Sequence, residues 1–120
     1  MNKHTKEFST ATVASVLTGI ALGDFGDTIR LLSHLTGTTV FTDEAPHMGR
    51  ATRCFLFDQV PHMRDVRLLA EAWDISNPTI AARFVDYLEE LHGETQVIRA
   101  LPVPIQEYIQ SSFLYAHEGK

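Results

Sequence analysis

Four arginines that could bind an anionic group crowd one short stretch near the middle of the chain: Arg50, Arg53, Arg64 and Arg67. The same stretch holds only two acidic residues, Asp58 and Asp65. A guanidinium group presents several N–H donors in a fixed plane and bonds carboxylates and phosphates well. The stretch therefore predicts a surface that contacts an acidic partner. The alternative is that the arginines line the solvated faces of two ordinary helices.

A second pattern lies in LLAEAWDISNPTIAARF, residues 68–84, which resembles the helix-turn-helix of bacterial transcription regulators. The small Ala70 would let a second helix cross close to the first, and Ile75 would fill the turn between them. The residues predicted to contact DNA are Asn77, Thr79 and Arg83.

Two departures from that pattern keep another interpretation open. Asp74 stands where the turn usually has glycine, and Asp86, Glu89 and Glu90 add negative charge farther along the second helix. An antiparallel helix pair joined by a proline-containing turn would have the same periodicity.

No arrangement of side chains typical of catalysis or metal binding is evident in the sequence. The six histidines show no paired ligand spacing, so we expect no metal site and no cofactor. Cys54 lies beside Phe55 and Phe57, which predicts a mainly buried and unreactive thiol. The glycines at 19, 23 and 26 lack the spacing of a phosphate-binding loop. We therefore expect a protein that is not an enzyme.

Composition sets the class of protein. Hydrophobic residues make up 44% of the 120 residues, which is enough for one globular core. The formal net charge of −5 disfavours general binding to nucleic acid or to anionic lipid. No apolar run approaches the roughly 20 residues that span a bilayer, and one cysteine cannot form an internal disulfide. We expect a cytoplasmic protein without a membrane segment.

The spacing of apolar residues predicts a mainly α fold with five to six short helices. The predicted helices are one from about Ser9 to Gly19 or Gly23, then 26–36, 47–59, 62–73, 78–92 and 105–116. The fifth has the clearest boundaries, because Asn77 can cap it, Pro78 suits its first turn and Gly93 follows its end.

A small two-stranded β element is predicted from the segments at about 38–42 and 96–101, both rich in β-branched residues. Residues 1–8 are polar and predict a flexible N-terminal tail, so that 9–120 form a single helical domain. The aromatic side chains of Tyr108 and Tyr115 on the last helix leave two alternatives open, the monomer core or a homodimer interface.

Three stretches of the chain resemble a family of small uncharacterised proteins encoded by tailed phages and by prophages: EFSTATVASVLTG, GDTIRLLSHLTGTTVFTDEAPHMGR and GETQVIRALPVP. The resemblance covers most of the first half of the chain and the LPVP segment near its end. It implies an accessory phage protein in the cytoplasm of a bacterial host, and it implies no reaction.

The sequence thus favours a non-enzymatic protein that binds a host macromolecule, a protein or a ribonucleoprotein complex, as an inhibitor of host defence would. A helix-turn-helix DNA-binding regulator is the first alternative. A protein that sequesters a small molecule such as a nucleotide is the second.

Overall fold

A computed structural model describes the backbone of residues 4–118 and the side chains of residues 4–112. It confirms a mainly α fold with a two-stranded antiparallel sheet. The elements are β1 (Thr5–Ser9), α1 (Thr10–Thr18), α2 (Phe25–Thr36), α3 (Ala45–Gln59), α4 (Val66–Ala72), α5 (Pro78–His92), β2 (Thr95–Arg99) and α6 (Val103–Glu118). Short 3-10 turns at Thr42–Glu44 and Pro61–Met63 precede α3 and α4.

Helix α1 is the centre of the fold. Every residue from Thr12 to Leu17 is buried, and α1 contacts α2, α3, α4, α5 and both strands. A helix that is buried on all sides must satisfy its polar side chains internally. Ser15 does so by donating to the Ala11 carbonyl and accepting the Leu22 N–H, and Thr18 donates to the Ala14 carbonyl.

The predicted helix boundaries are set by local chemistry. Ser9, Asp24 and Asn77 each accept backbone N–H groups in the first turn of α1, α2 and α5. Such caps satisfy donors that have no partner within the helix. Gly19 ends α1 with φ at +75°, a conformation in which a side chain would be strained.

The position of the sheet differs from the prediction. A strand is confirmed in the segment predicted at 96–101, and it spans Thr95–Arg99. Its partner is Thr5–Ser9, in an antiparallel register that pairs Thr5 with Arg99 and Ser9 with Thr95. Residues 5–8, expected in a flexible tail, therefore belong to the fold, and Phe8 is buried beneath the sheet. The prediction of a strand at 38–42 is wrong.

The physical reason lies in which backbone groups find partners. The Val40 N–H bonds the side chain of Ser33, so this segment lies against α2 with Val40 buried and forms no ladder. The N–H of Thr10 instead donates to Glu94, which places the start of α1 beside the loop that leads into β2.

The helical spacing of apolar residues predicts the inward faces of α4 and α5, and most of those residues lie in the core. Val66, Phe84 and Leu88 are buried, and Leu69 and Trp73 pack against the same core. Leu91, which the same spacing places on the inward face of α5, is 53% exposed because it lies in the last turn of the helix. The Trp73 ring contacts the Phe84 and Tyr87 rings, with centroids 5.3 and 5.4 Å away.

Helix α6 packs on the end of α2. The Gln110 amide donates to the Thr36 carbonyl at 2.9 Å, and the Leu101 N–H donates to the Leu35 carbonyl just before α6 begins. Tyr108 is 69% exposed, which excludes it from the monomer core, whereas the side chain of Tyr115 lies outside the described residues. None of the described helices has the length and apolarity that crossing a membrane requires.

Candidate functional site

Arg53 fixes the position of the arginine-rich surface, because its side chain reaches across from α3 to the end of α1. Its Nε donates to the Val16 carbonyl at 2.9 Å. The guanidinium lies against Gly19, so close that a Cβ added to that glycine would be 3.1 Å from Arg53 Nη2. Helix carbonyls near a C-terminus carry partial negative charge and accept from cations. The bond therefore holds Arg53 while leaving its Nη groups available.

Arg50 and Arg67 carry further positive charge to the same place. Burial lowers the pKa of Arg53, and the positive charges of Arg67 and of Arg50 lower it further. A charge within this range disfavours the charged form of a like neighbour. The charges of Arg50 and Arg67 therefore act on Arg53, and we call these three residues the arginine cluster.

Carboxylates do not neutralise the arginine cluster. Within residues 4–112, none of its guanidinium groups forms an ion pair, whereas Arg30 on α2 pairs with Asp27. Arg64 is exposed after the 3-10 turn Pro61–Met63, and its charge is not among those that shift the pKa of Arg53. Of the four arginines predicted to bind a partner, three are thus electrostatically coupled.

A cleft of about 240 Å³ adjoins Arg53. Its walls are the C-terminal end of α1, the start of α2 and the first turns of α3; we call it the α1–α3 cleft. Apolar groups dominate the walls, which include Val16, Ile20, Phe25, Leu32 and Pro46. The Arg53 side chain lines the same cleft, so it combines an apolar interior with a cation at its edge.

Gly49 lies on the α3 wall of the cleft. It is buried in the interior of α3, yet a Cβ built on it would meet no atom within 4 Å. Glycine in a helix interior destabilises by roughly 0.5–1 kcal/mol relative to alanine. Among the described residues, no other element lies so close to Gly49 that only glycine would fit. The absence of a side chain at this position leaves the cleft open.

The mouth of the cleft carries exposed apolar side chains. Ile20 and Phe25 share helical spacing with the buried residues Val13 and Leu32, yet they are 40% and 47% exposed and both line the cleft. Phe41 is 64% exposed and precedes Thr42, another lining residue. Apolar groups grouped beside arginine are typical of surfaces that contact another protein.

The residues of the predicted helix-turn-helix form α4, a turn and α5, an arrangement that an ordinary antiparallel helix pair shares. Ala70 is buried, and Thr79 and Arg83 are exposed one helical turn apart near the start of α5. Asn77 is engaged as a cap, since its Oδ1 accepts the Thr79 and Ile80 N–H groups. Asp86, on the same face of α5, is also exposed and gives that face mixed charge.

A polar network lies beside the first residue of α1, Thr10. We call its members the glutamine network: Thr10, His62, His92 and Gln96. The buried Gln96 amide donates to Thr10 Oγ1 at 3.0 Å and to the His92 carbonyl at 2.9 Å, and its oxygen lies 2.8 Å from His62 Nε2. The His62 and His92 rings are 5.2 Å apart. Burial lowers the pKa of His92, with a further contribution from His62.

The structure also bears on the predictions for Cys54 and for metal binding. Cys54 is exposed, so the prediction of a buried thiol is wrong: its position on α3 points away from the core while Leu56 points into it. Among the described residues, no group of three His, Cys, Asp or Glu side chains could hold a metal ion.

A larger open groove of about 730 Å³ runs between β1 and α2. It has the volume of a small-molecule site, roughly 300–1,000 Å³. Its cations are Lys6 and Arg30, but Glu7 and Asp27 share the same lining and Asp27 bonds Arg30. The groove therefore offers a nucleotide no concentration of unpaired positive charge.

The sequence prediction named the arginines but missed the cleft beside them. The one local signal was Gly49, a glycine within a predicted helix at 47–59 that neither begins nor ends it. Ile20 and Phe25 gave no signal, because a helical apolar pattern shows which side chains share a face and not whether another element covers that face.

Comparison with known proteins gives one match. Residues 8–66 match a family model described as a domain of unknown function (DUF7736). No curated protein and no solved structure matches the chain significantly. The matched region runs from Phe8 to the start of α4, so it includes the whole α1–α3 cleft together with Arg50, Arg53 and Arg64.

Proposed function

We propose that this chain is a non-enzymatic binding protein of a phage or prophage, and that its arginine cluster contacts an acidic surface of a host protein or ribonucleoprotein complex. The observation that carries the proposal is the arginine cluster itself. The positive charges of Arg50 and Arg67 act on Arg53, and none of the three guanidinium groups has an ion-paired carboxylate among the described residues.

The energetics favour a partner that supplies the missing negative charge. Like charges held together repel, and partial burial of Arg53 adds a desolvation cost. Carboxylates of a bound partner would offset both the repulsion and the desolvation cost. They would also form charge-assisted hydrogen bonds with the free Nη groups of Arg53. Charge complementarity of this kind also accelerates encounter and rejects wrong partners.

The test is affinity capture from lysate of the bacterial host, read by mass spectrometry, with a triple variant Arg50→Glu, Arg64→Glu, Arg67→Glu. All three side chains are exposed, so the fold should persist. Arg53 is left intact because its bond to Val16 joins α3 to α1. We expect the protein captured by the natural chain to disappear from the variant.

The control carries the same change of charge elsewhere: Lys6→Glu, Arg83→Glu, Arg99→Glu. These residues are also exposed, and they lie on β1, α5 and β2. Capture by the control should match the natural chain. Equal capture by the arginine variant would refute this surface as the contact.

DNA binding through α4 and α5 is the second candidate, favoured by the exposed Thr79 and Arg83 near the start of α5. Fluorescence anisotropy with duplex DNA at rising salt separates the two. The affinity of a DNA-binding protein falls steeply as the salt concentration rises, and the slope of log affinity against log salt grows with the number of phosphates neutralised. Arg83→Ala should reduce that slope by about one. A protein-binding chain without affinity for DNA gives no such slope.

Two further proposals concern assembly and small ligands. A homodimer through α6 would cover Tyr108 and Val103, both strongly exposed, and light scattering measures its mass directly. Sequestration of a nucleotide is the least supported, because Arg30 in the larger groove is paired with Asp27 and Glu7 lines the same groove.

A further inference from the structure

We propose that the α1–α3 cleft is the seat of one large apolar side chain of the partner protein, and that an aspartate or glutamate beside it in that partner bonds the Arg53 guanidinium. The inference rests on the proposed function and deepens it, because it names the chemistry of the segment that would be recognised. The occupant is an acidic peptide segment with a single phenylalanine, tryptophan or leucine.

The size of the cleft selects this occupant. Its volume of about 240 Å³ lies below the range of roughly 300–1,000 Å³ in which drug-sized ligands and cofactors are held. One large side chain is the unit that fits. Protein interfaces concentrate their binding free energy in such anchors, buried in a pocket and surrounded by polar contacts.

Gly49 shows that the cleft is not a packing accident at the end of a loop. A Cβ at this position of α3 would meet no atom within 4 Å apart from its chain neighbours and the backbone of its own helix. Glycine lowers helix stability, and no contact with another element requires a glycine at this position among the described residues. An occupant that reaches the α3 backbone at Gly49 would offset that loss of helix stability.

The rim supplies the two kinds of contact that an amphipathic segment needs. Ile20 and Phe25 extend the apolar surface outward from the cleft, and Arg53 places its uncommitted Nη groups at one edge. Because Arg50 and Arg67 lie nearby, a second carboxylate of the same segment would also find a cation. Charge complementarity therefore favours an acidic segment over a neutral one.

Two carboxylates adjacent in sequence to lining residues of the cleft are engaged in the fold. Asp24 accepts the Asp27 N–H at the start of α2, and Glu44 accepts the Phe41 N–H before α3. Their negative charge opposes an anion beside them and favours the Arg53 edge. The segment thus has a defined polarity, with its acidic residues toward Arg53.

The first experiment uses short peptides, acetylated and amidated, that hold one tryptophan between glutamates, and follows the backbone NMR signals of the protein. We expect the largest shifts at Gly19, Ile20, Gly49 and Arg53. Peptides with glutamine in place of glutamate, or alanine in place of tryptophan, should bind roughly tenfold more weakly. Equal affinity of the glutamine peptide, or shifts confined to other surfaces, would overturn the assignment.

The second experiment fills the cleft with Gly49→Leu and compares it with Ala82→Leu, which adds a leucine at an exposed helical position on α5. Both variants are first checked for a native amide spectrum. Gly49→Leu should abolish peptide binding, and Ala82→Leu should leave it unchanged. If Gly49→Leu does not fold, Gly49→Ala and Arg53→Gln replace it, each with an expected loss of affinity.

Capture from lysate distinguishes failure of this inference from failure of the proposed function. If the arginine variant no longer captures the partner but Gly49→Leu still does, the cleft does not hold a side chain of the partner. The proposed function would then still stand. Capture that survives the arginine variant overturns the proposed function itself.

Discussion

The arginine cluster and the glutamine network are both polar and both partly buried, yet they differ in how their groups are satisfied. In the glutamine network, both atoms of the Gln96 amide meet partners supplied by α1, α5 and the turn before α4. In the arginine cluster, Arg53 has one bond to a carbonyl, and its neighbours add only positive charge. A buried polar group that is fully bonded stabilises the fold, whereas exposed charges of one sign are solvated and remain free to bind an anionic group.

The largest effect that separates the two clusters is expected from Gln96→Ala. Removing the amide leaves Thr10 Oγ1, the His92 carbonyl and His62 Nε2 without the partners that Gln96 supplies. Unsatisfied buried groups cost about 1–3 kcal/mol, and urea denaturation should show a loss of that size in the free energy of unfolding. The matched change Arg67→Gln should alter it by no more than about 0.5 kcal/mol. Similar losses in both variants would erase the distinction.

A smaller effect, of opposite sign, is expected at Gly49. Gly49→Ala should raise the free energy of unfolding by about 0.5–1 kcal/mol, because alanine favours the helix and the added methyl group meets no atom. The same substitution at Gly19 should lower it, because φ there is +75° and the Cβ would approach Arg53. Thermal unfolding measures both. Destabilisation by Gly49→Ala would show that the cleft is closed in solution.

The acid response sharpens the comparison further. The folded pKa of His92 lies below its ordinary value of 6.5, first through burial and then through His62. The unfolded chain therefore binds more protons in acid, so stability is lost as the pH falls below about 6.5 and the loss is complete below the folded pKa. His92→Gln should flatten the dependence of the free energy of unfolding on pH between 7 and 5. An unchanged slope in His92→Gln would assign the response to other groups.

The sequence predicts those features of the fold that depend on neighbouring residues. Asn77 and Pro78 mark the start of α5, and Gly37 marks the end of α2, because capping is decided within a few positions. The pairing of Thr5–Ser9 with Thr95–Arg99 was missed, since five polar or mixed residues near one end carry no sign of a partner that lies far along the chain.

The candidate site was predicted only in part for a related reason. The arginines are visible as a local excess of one charge. The cleft depends on how α1, α2 and α3 meet, and the periodicity that placed Ile20 and Phe25 on apolar faces could not show that those faces remain open.

The pairing of β1 with β2 also determines when the protein can fold. Helix α1 is made early during synthesis, but part of its surface is covered by α5 and β2, which leave the ribosome late. Contacts between distant parts of a chain form slowly and expose apolar surface in the meantime. A nascent chain halted after α3 would leave part of the surface of α1 uncovered, so the buried central helix is enclosed only once the last third of the chain has been made.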